Sequence, residues 1–437
     1  MKSKTRLKDK VNIITLGCSK NMVDSEVLSG QLRANDISVV HESHKKDHNI
    51  VIVNTCGFIE KAKEESIQTI LEQVSLKKNG SLDKVYVTGC LSERYRDSLE
   101  TELPEVDAFF GTMDMPLLLK RLEADYKAEL IGERMLSTPQ HYAYLKISEG
   151  CNRTCSFCAI PLMRGKHVSR TMDSLVEEAH KLVQSGVKEI MLIAQELTYY
   201  GLDIYKERKL PELMHRLADI PGLEWIRLHY AYPSKFPMDI IHVMKERSTI
   251  CNYLDMPLQH ASNNMLKAMK RQITREEMEE LIASIRTAIP DICLRTTLIA
   301  GFPGEQEEDV DELIDFLGRM RFDRVGVFTY SHEEQTTAYD LIDDVPADVK
   351  EDRARRIMEF QQDISYEKNQ QKVGQVLKVV IDKKEAGRYL GRTEFDSVEV
   401  DNEVIIHSKK RLQPGDFVQV RITKAYDYDI EGELVDD

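Results

Sequence analysis

The chain has 437 residues, enough for two to four domains with well-filled cores. Its 60 Lys and Arg against 74 Asp and Glu leave a formal net charge of −14, which favours solubility and argues against broad non-specific binding to nucleic acid, leaving room for a local basic groove. Eight cysteines in a charge-rich chain without a secretion signal argue against a disulfide framework.

At the amino end, basic Met1 to Lys10 and the run Val11 to Cys18 mimic a lipoprotein leader. The run is interrupted by Asn12 and is shorter than the ~7–15-residue apolar core of a signal. No stretch approaches the ~18 apolar residues of a membrane span, so the chain reads as cytoplasmic, with no membrane partner. From Val11 to about Ala124, short apolar runs alternate with polar helical patterns, which predicts a parallel α/β sheet. Asn12–Leu16 leads into Gly17-Cys18, Ile50–Thr55 into Cys56-Gly57, and Val85–Thr88 into Gly89-Cys90. Helices are predicted over Asn21–Leu32, Lys61–Ser75 and Ser92–Leu103. In a parallel sheet all carboxyl ends lie on one edge, where ligands bind, so three cysteines distant in sequence can converge there. A glycine beside each permits close approach of a bulky inorganic group. Cysteine is also a common small core residue. The repeated placement after a strand favours a metal site, one with three protein ligands.

After a charged connector a new unit begins near Pro139–Tyr142, and Ala143–Ile147 reads as a strand leading into Cys151, Cys155 and Cys158. These three are spaced C-x₃-C-x₂-C, with Phe157 before the third. Thiolates this close suit one soft metal centre, and three of them leave one iron of a four-iron cube open. The alternatives are a zinc loop, which normally closes with a fourth Cys or His, or three unrelated cysteines. Behind the loop the β–α alternation continues. Strands are predicted at Glu189–Ile193, Trp225–Leu228, Asn252–Met256, Cys293–Ile299 and Arg324–Thr329. Helices are predicted at Ser174–Gln184, Leu210–Ala218, Pro237–Lys245, Arg275–Ala288 and Gln306–Arg319. Six such units predict an open (β/α) barrel with its active-site loops at the strand carboxyl ends.

Those ends carry Gln195 and Glu196, His229 and Tyr230, Gln259 and His260, and Gly301-Phe302-Pro303-Gly304-Glu305. His260 stands where a ligand or proton role competes with that of a satisfied structural histidine. Gly301 and Gly304 would let backbone approach a nucleoside, or simply make a turn. Arg164, Lys166 and Arg170 could attract a carboxylate, although such charges are usually solvated. Cys251 and Cys293 lack a partner spacing and read as core. Ala347–Lys372 reads as a connecting helix. Beyond Gly374, short runs at Val376–Ile381, Val398–Val400, Val404–Ile406 and Phe417–Ile422, with a turn at Pro414-Gly415-Asp416, predict a small antiparallel β-barrel. From Gln371 to Asp437 there are 11 Lys and Arg against 14 Asp and Glu. That balance suits a basic protein partner better than RNA.

Nearly the whole chain resembles the radical S-adenosylmethionine (SAM) methylthiotransferase family. The resemblance rests on the C-x₃-C-x₂-C loop, on Thr15-Leu16-Gly17-Cys18-Ser19-Lys20-Asn21, on Asn54-Thr55-Cys56-Gly57-Phe58-Ile59, and on Ala159-Ile160-Pro161 with Arg164-Gly165. It implies an N-terminal methylthiotransferase domain over 9–125, a radical SAM core with a TIM-like partial barrel over 137–368, and a TRAM domain over 370–437. It implies two [4Fe-4S] clusters, one on Cys151, Cys155 and Cys158 that cleaves SAM, and one on Cys18, Cys56 and Cys90 that carries sulfur. Phe157, Gln195, Glu196, Gln259, His260, Gly301, Gly304 and Glu305 would line the SAM site. The fifth strand has Thr297 where the superfamily often has glycine. Within the family the motifs are similar to the branch that modifies an aspartate of small-ribosomal-subunit protein twelve (S-twelve). The TRAM domain would then contact S-twelve, and an electron donor and a sulfur source would be further partners. The tRNA-modifying branch typically has Gln-Met in place of Ser19-Lys20. Readings outside catalysis are an iron–sulfur electron carrier and a scaffold with structural zinc.

Overall fold

The computed structural model describes residues 9–435 apart from 44, 46, 128, 129, 131 and 132. Residues 1–8 of the basic leader-like segment lie outside the described residues, as do the last two residues of the third expected unit, whereas the apolar run from Val11 to Cys18 is described. In the first part, β1 (Lys10–Thr15), α1 (Ser19–Arg33), β2 (Ser38–His41), β3 (Ile50–Thr55), α2 (Glu60–Lys78), β4 (Lys84–Gly89), α3 (Cys90–Glu102), β5 (Ala108–Phe109) and α4 (Met115–Arg121) follow in turn. The strands form a parallel sheet in the order β2-β1-β3-β4-β5. Alternate residues of one strand face opposite layers. Ile50 and Ile52 pack with Leu28, Leu32 and Leu118 on one side, while Val51 and Val53 pack with Ile70, Val74 and Leu91 on the other. Strands β2 and β5 are additions to the expected three; both are short, and Ser38 to His41 carries too few apolar residues to announce a strand.

The middle part runs β6 (Tyr142–Lys146), β7 (Ser148–Glu149), α5 (Ile160–Arg164), β8 (Val168–Ser169), α6 (Met172–Gln184), β9 (Glu189–Ile193), α7 (Leu210–Ala218), β10 (Trp225–Leu228), α8 (Asp239–Glu246), β11 (Ile250–Asp255), α9 (Asn263–Ala268), α10 (Arg275–Ala288), β12 (Cys293–Ala300), α11 (Glu307–Met320), β13 (Arg324–Thr329) and α12 (Ala347–Gln370). The six long strands pair parallel in the order β13-β12-β11-β10-β9-β6, an open partial barrel. One face is apolar: Leu145, Ile190, Leu192, Ile226, Leu254 and Leu294 pack against the helices. The other face carries Glu189, Arg227, Tyr253, Arg295 and Arg324 at alternate positions, so the lumen is polar. Cys251 and Cys293 are 1% and 2% exposed and belong to an apolar cluster with Trp225 and Phe417, the core placement expected for them.

The last part is a closed five-stranded barrel of β14 (Val376–Glu385), β15 (Arg388–Thr393), β16 (Val404–His407), β17 (Phe417–Ala425) and β18 (Ile430–Leu434), ordered β14-β15-β16-β18-β17. Its pairs are antiparallel except β16 with β18, which is parallel. Val398–Val400, expected as a strand, is turn. That segment folds on its own acids instead, with Ser397 N–H on Asp401 (2.9 Å) and Thr393 Oγ1 on Asp396 (2.7 Å). Strand β15 was missed because Gly391 breaks its apolar run; a Cβ there would stand 2.3 Å from Val380 O.

The loop 394–401 fills the polar lumen. Arg324 Nε meets Asp396 at 3.0 Å, Arg295 Nε meets Asp401 at 3.2 Å, and Tyr253 OH donates to Asp401 at 2.7 Å. Glu189 receives Arg227 from the core and Arg392 from the small barrel, each at 2.8 Å. His229 Nε2 and Ser397 Oγ are 3.0 Å apart. Burial pushes His229 well below its ordinary value, and Arg227, Arg295, Lys20 and Arg392 add to the shift. The unfolded chain therefore takes up this proton first, near pH ~6.5. Stability is complete above that pH and is lost as pH falls towards the depressed folded value. We expect His229→Asn to flatten the decline in melting temperature between about pH 6.5 and 5, and an unchanged slope in thermal scans would remove His229 from the account.

No helix among the described residues is long and apolar enough to cross a membrane.

Candidate functional site

The first three cysteines meet at the carboxyl edge of the N-terminal sheet. Cys18 caps α1 in extended backbone, Cys56 follows β3, and Cys90 opens α3 directly after β4. A Cβ on Gly17 would lie 2.7 Å from Cys56 Cβ and 2.9 Å from its Sγ, so the loops touch only because this residue is glycine. Asn21 ties them together, its Nδ2 donating to Leu16 O (2.8 Å) and Thr55 O (3.0 Å). Ser66 Oγ accepts from Cys56 N (3.0 Å) and donates to Cys56 O (2.9 Å).

The second three lie on the loop between β7 and β8. Gly150 has φ +74°, and a Cβ there would meet Lys166 O at 2.2 Å, so the loop closes through a position only glycine fills. Cys151 N–H donates to Gly165 O (3.1 Å), and Ser156 is bonded to Met269 O and Ala268 O. Donors surround the sulfurs. Arg153 N–H points at Cys151 Sγ (3.4 Å) and Arg271 donates to Cys155 Sγ (3.1 Å), while Tyr232 OH, 3.8 Å from the same sulfur, donates to Arg271 O (2.7 Å). Arg153 is sandwiched between the Tyr199 and Tyr232 rings at 4.0 and 3.8 Å and pairs with Glu196 at 3.1 Å.

The two sets adjoin. Cys90 packs against Ala159, the residue after Cys158, and against Met163. Arg164 Nε donates to Cys90 Sγ at 3.3 Å. The same guanidinium meets Asp24 (2.6 Å), Glu149 (3.3 Å) and Asn21, while Lys146 meets Glu149 (2.5 Å) and Asp24. Burial pushes the Asp24 carboxyl up, but Lys146 and Arg164 outweigh it and hold the group below its ordinary value. Asp24, Lys146 and Glu149 were not singled out in the sequence. Their only signal was position, beside one or the other cysteine motif. Arg164 is 5% exposed, against the solvated fate usual for such residues, and Arg170 pairs with Glu178.

All eight cysteines are free. Burial pushes Cys90 and Cys158 up to about 12, Cys151 to about 11, and Cys56 above its ordinary value. Such thiols are poor nucleophiles at neutral pH, and they become thiolates against the positive charge of a metal. Among the described residues no three His, Cys, Asp or Glu are gathered for a single metal ion. A cube places each thiolate on a different iron. The donor set, the glycine-lined approach and the N–H groups aimed at sulfur fit two such clusters.

The other expected cofactor residues divide. Phe157 is partly buried against Met265, Met269 and Phe302. Gln195 is half-buried, with Nε2 on Glu149 and Oε1 without a partner. Gln259 takes φ +78° and bonds along β12, its N–H on Thr297 O (2.9 Å). His260 and Glu305 are different: both side chains are 0% exposed and 3.4 Å apart. His260 Nδ1 accepts from Ala261 and Ser262 N–H, while Glu305 takes Gly301 N–H (2.9 Å) and Arg353 (3.0 Å). Both are packed against the loop after β12, Glu305 through the Gly301 N–H. Gly301 admits α12, since a Cβ would stand 2.2 Å from Lys350 Cγ, whereas Gly304 faces open space.

Three family models match in succession: Uncharacterized protein family UPF0004 over residues 10–111, the Radical SAM superfamily over 145–317, and the TRAM domain over 373–435. Among curated relatives, the "Ribosomal protein uS12 methylthiotransferase RimO" of Christiangramia forsetii is 57% identical over 434 residues, covering 99% of this chain and 96% of that one. The protein of the same name from Cytophaga hutchinsonii is 56% identical over 436 residues, covering all of both. Among solved structures, the radical SAM methyltransferase TsrM of Kitasatospora setae matches with a TM-score of 0.55 at 15% identity over 73% of this chain and 72% of that one. At that identity the likeness is one of fold.

Proposed function

Because the chain belongs to the ribosomal protein uS12 methylthiotransferase RimO family, we propose that it replaces one hydrogen on the β-carbon of an aspartate side chain of uS12, the S-twelve protein, by a methylthio group. The observation that carries the reading is the adjacency of two three-cysteine sets, joined where Cys90 meets Ala159 and Arg164. Cys151, Cys155 and Cys158 would hold one [4Fe-4S] cluster and Cys18, Cys56 and Cys90 the other. When bound, the clusters and SAM supply hydrogen abstraction from an unactivated carbon and a transferable sulfur, chemistry beyond side-chain acids and bases.

The chain's own residues do the positioning. Arg271 and the Arg153 N–H face the sulfurs of the SAM-cleaving set, and such donors tune a cluster's potential. Arg164 does the same for Cys90 from across the domain contact. Phe157, Gln195, Glu196 and Gln259 line the SAM site, with Gly304 at its turn, while Gly301, His260 and Glu305 hold the loop after β12. We take 9–125, 137–368 and 370–437 as the three functional units. The mildly acidic TRAM module contacts the ribosomal protein, an external electron donor and sulfur source complete the reaction, and the location of ribosomes places the enzyme in the cytoplasm.

The test is anaerobic incubation of the reconstituted enzyme with SAM, a reductant and either uS12 or tRNA. We expect methylthiolated uS12, unmodified tRNA, and release of 5′-deoxyadenosine. Modification of tRNA alone overturns the substrate, and no 5′-deoxyadenosine leaves an electron carrier.

A further inference from the structure

The cations around the two cysteine sets have partners. Arg153 pairs with Glu196, Lys146 and Arg164 share Asp24 and Glu149, and Arg271 bonds to Cys155 and to Pro257 O. Lys20 is the exception. It is 7% exposed, lies in the first turn of α1 two residues after Cys18, and its ammonium has no carboxylate within 4.0 Å among the described residues. Its Nζ sits 3.1 Å from the centroid of the Tyr230 ring. Tyr230 lies just beyond β10 at the carboxyl edge of the core sheet. Its backbone is held at φ +64°, with its N–H 3.3 Å from Asp255.

A buried ammonium without a counter-ion is costly, and a ring face offsets only part of the loss. The ring occupies one side of Nζ and leaves its other N–H directions for an acceptor. The position is equally informative: Lys20 stands beside Cys18 of one cysteine set and against the edge of the sheet that presents the other. We propose that Lys20 is the docking point for a substrate carboxylate, that of the aspartate to be modified. This inference rests on the function proposed above. In aspartate the carboxylate is bonded directly to the β-carbon. An anion fixed on Lys20 Nζ therefore leaves the reacting C–H one bond away, between the two sets. The same contact rejects a side chain without a negative charge, because the ammonium would again be buried unpaired.

The test measures anaerobic binding of uS12 to the reconstituted wild-type, Lys20→Met and Lys20→Arg proteins. Each is given natural uS12 and uS12 with the target Asp changed to Asn. Wild type should bind the Asn form at least about tenfold more weakly. Lys20→Met should bind both forms at one weak level, Lys20→Arg should recover the discrimination, and all three should carry equal iron and sulfide. If Lys20→Met still prefers Asp by the wild-type factor, the inference is overturned. It is also overturned if Lys20→Met weakens SAM instead of uS12, which would make the carboxylate that of SAM. If Lys20→Met fails to assemble clusters, Lys20→Arg decides alone, and a loss of its discrimination overturns the inference. Failure of wild type to bind uS12 at all overturns the substrate reading, and this inference with it.

Discussion

Cys18→Ala should halve the iron of the reconstituted protein, from about eight atoms to about four, while release of 5′-deoxyadenosine persists and methylthiolated product disappears. The variant suits the question because the native side chain contributes little to the fold. Cys18 is exposed, and it caps α1 without a side-chain hydrogen bond. Alanine there removes a thiol and leaves the sheet edge intact, so lost iron reads as a lost ligand. Cys56 and Cys90 are buried, and truncating either also opens a small cavity. Cys251→Ala is the matched control. Its thiol sits among Trp225, Tyr253 and Cys293, so that variant should be less stable and keep all its iron. Iron and acid-labile sulfide analysis decides, and an unchanged count in Cys18→Ala would remove the first cysteine set from the site.

The second large effect is on stability. Glu189→Ala should cost about 3–5 kcal/mol, because it takes from buried Arg227 its carboxylate partner and leaves Arg392 with Asp382 alone. Each oxygen of Glu189 takes one of them at 2.8 Å, Arg227 from the core and Arg392 from the small barrel. Burial pushes the Glu189 carboxyl up, and Arg392 and Arg227 more than reverse it, holding it below its ordinary value. The chain's single tryptophan reports on this junction, since Trp225 packs edge-on to Phe417 at 4.8 Å. Its fluorescence should lose the native signal at a clearly lower temperature in the variant. An unchanged midpoint would mean that the small barrel is not fastened through this pair. The consequence for function is that the TRAM-like module is no freely swinging arm: loop 394–401 is built into the core lumen by Asp396 and Asp401.

The parts legible in the sequence are those where one force dominates. Ile50–Thr55 is buried along its whole length, and a continuous apolar run admits few alternatives to a central parallel strand. The cysteine edge was legible because a strand, a glycine and a cysteine recur three times. What stayed hidden depends on distant partners. Asp396 and Asp401 look like surface acids until Arg324 and Arg295 are seen opposite them. Arg164 looks solvated until Asp24, Glu149 and Cys90 surround it. His260 and Glu305 sit at the ligand edge in sequence, yet both are fully buried, Glu305 held by Gly301 and Arg353 and His260 by the Ala261 and Ser262 N–H groups. Burial of a charge is set by its partner, and pairing across some 140 residues leaves no local pattern.

The central claim is tested most directly by uS12 carrying deuterium at the β-carbon of the target aspartate. The account predicts that one deuterium moves into 5′-deoxyadenosine and that the same aspartate side chain carries a methylthio group in its place. Methylthiolated uS12 with no deuterium in 5′-deoxyadenosine, or 5′-deoxyadenosine formed with every deuterium still on the aspartate, would contradict it.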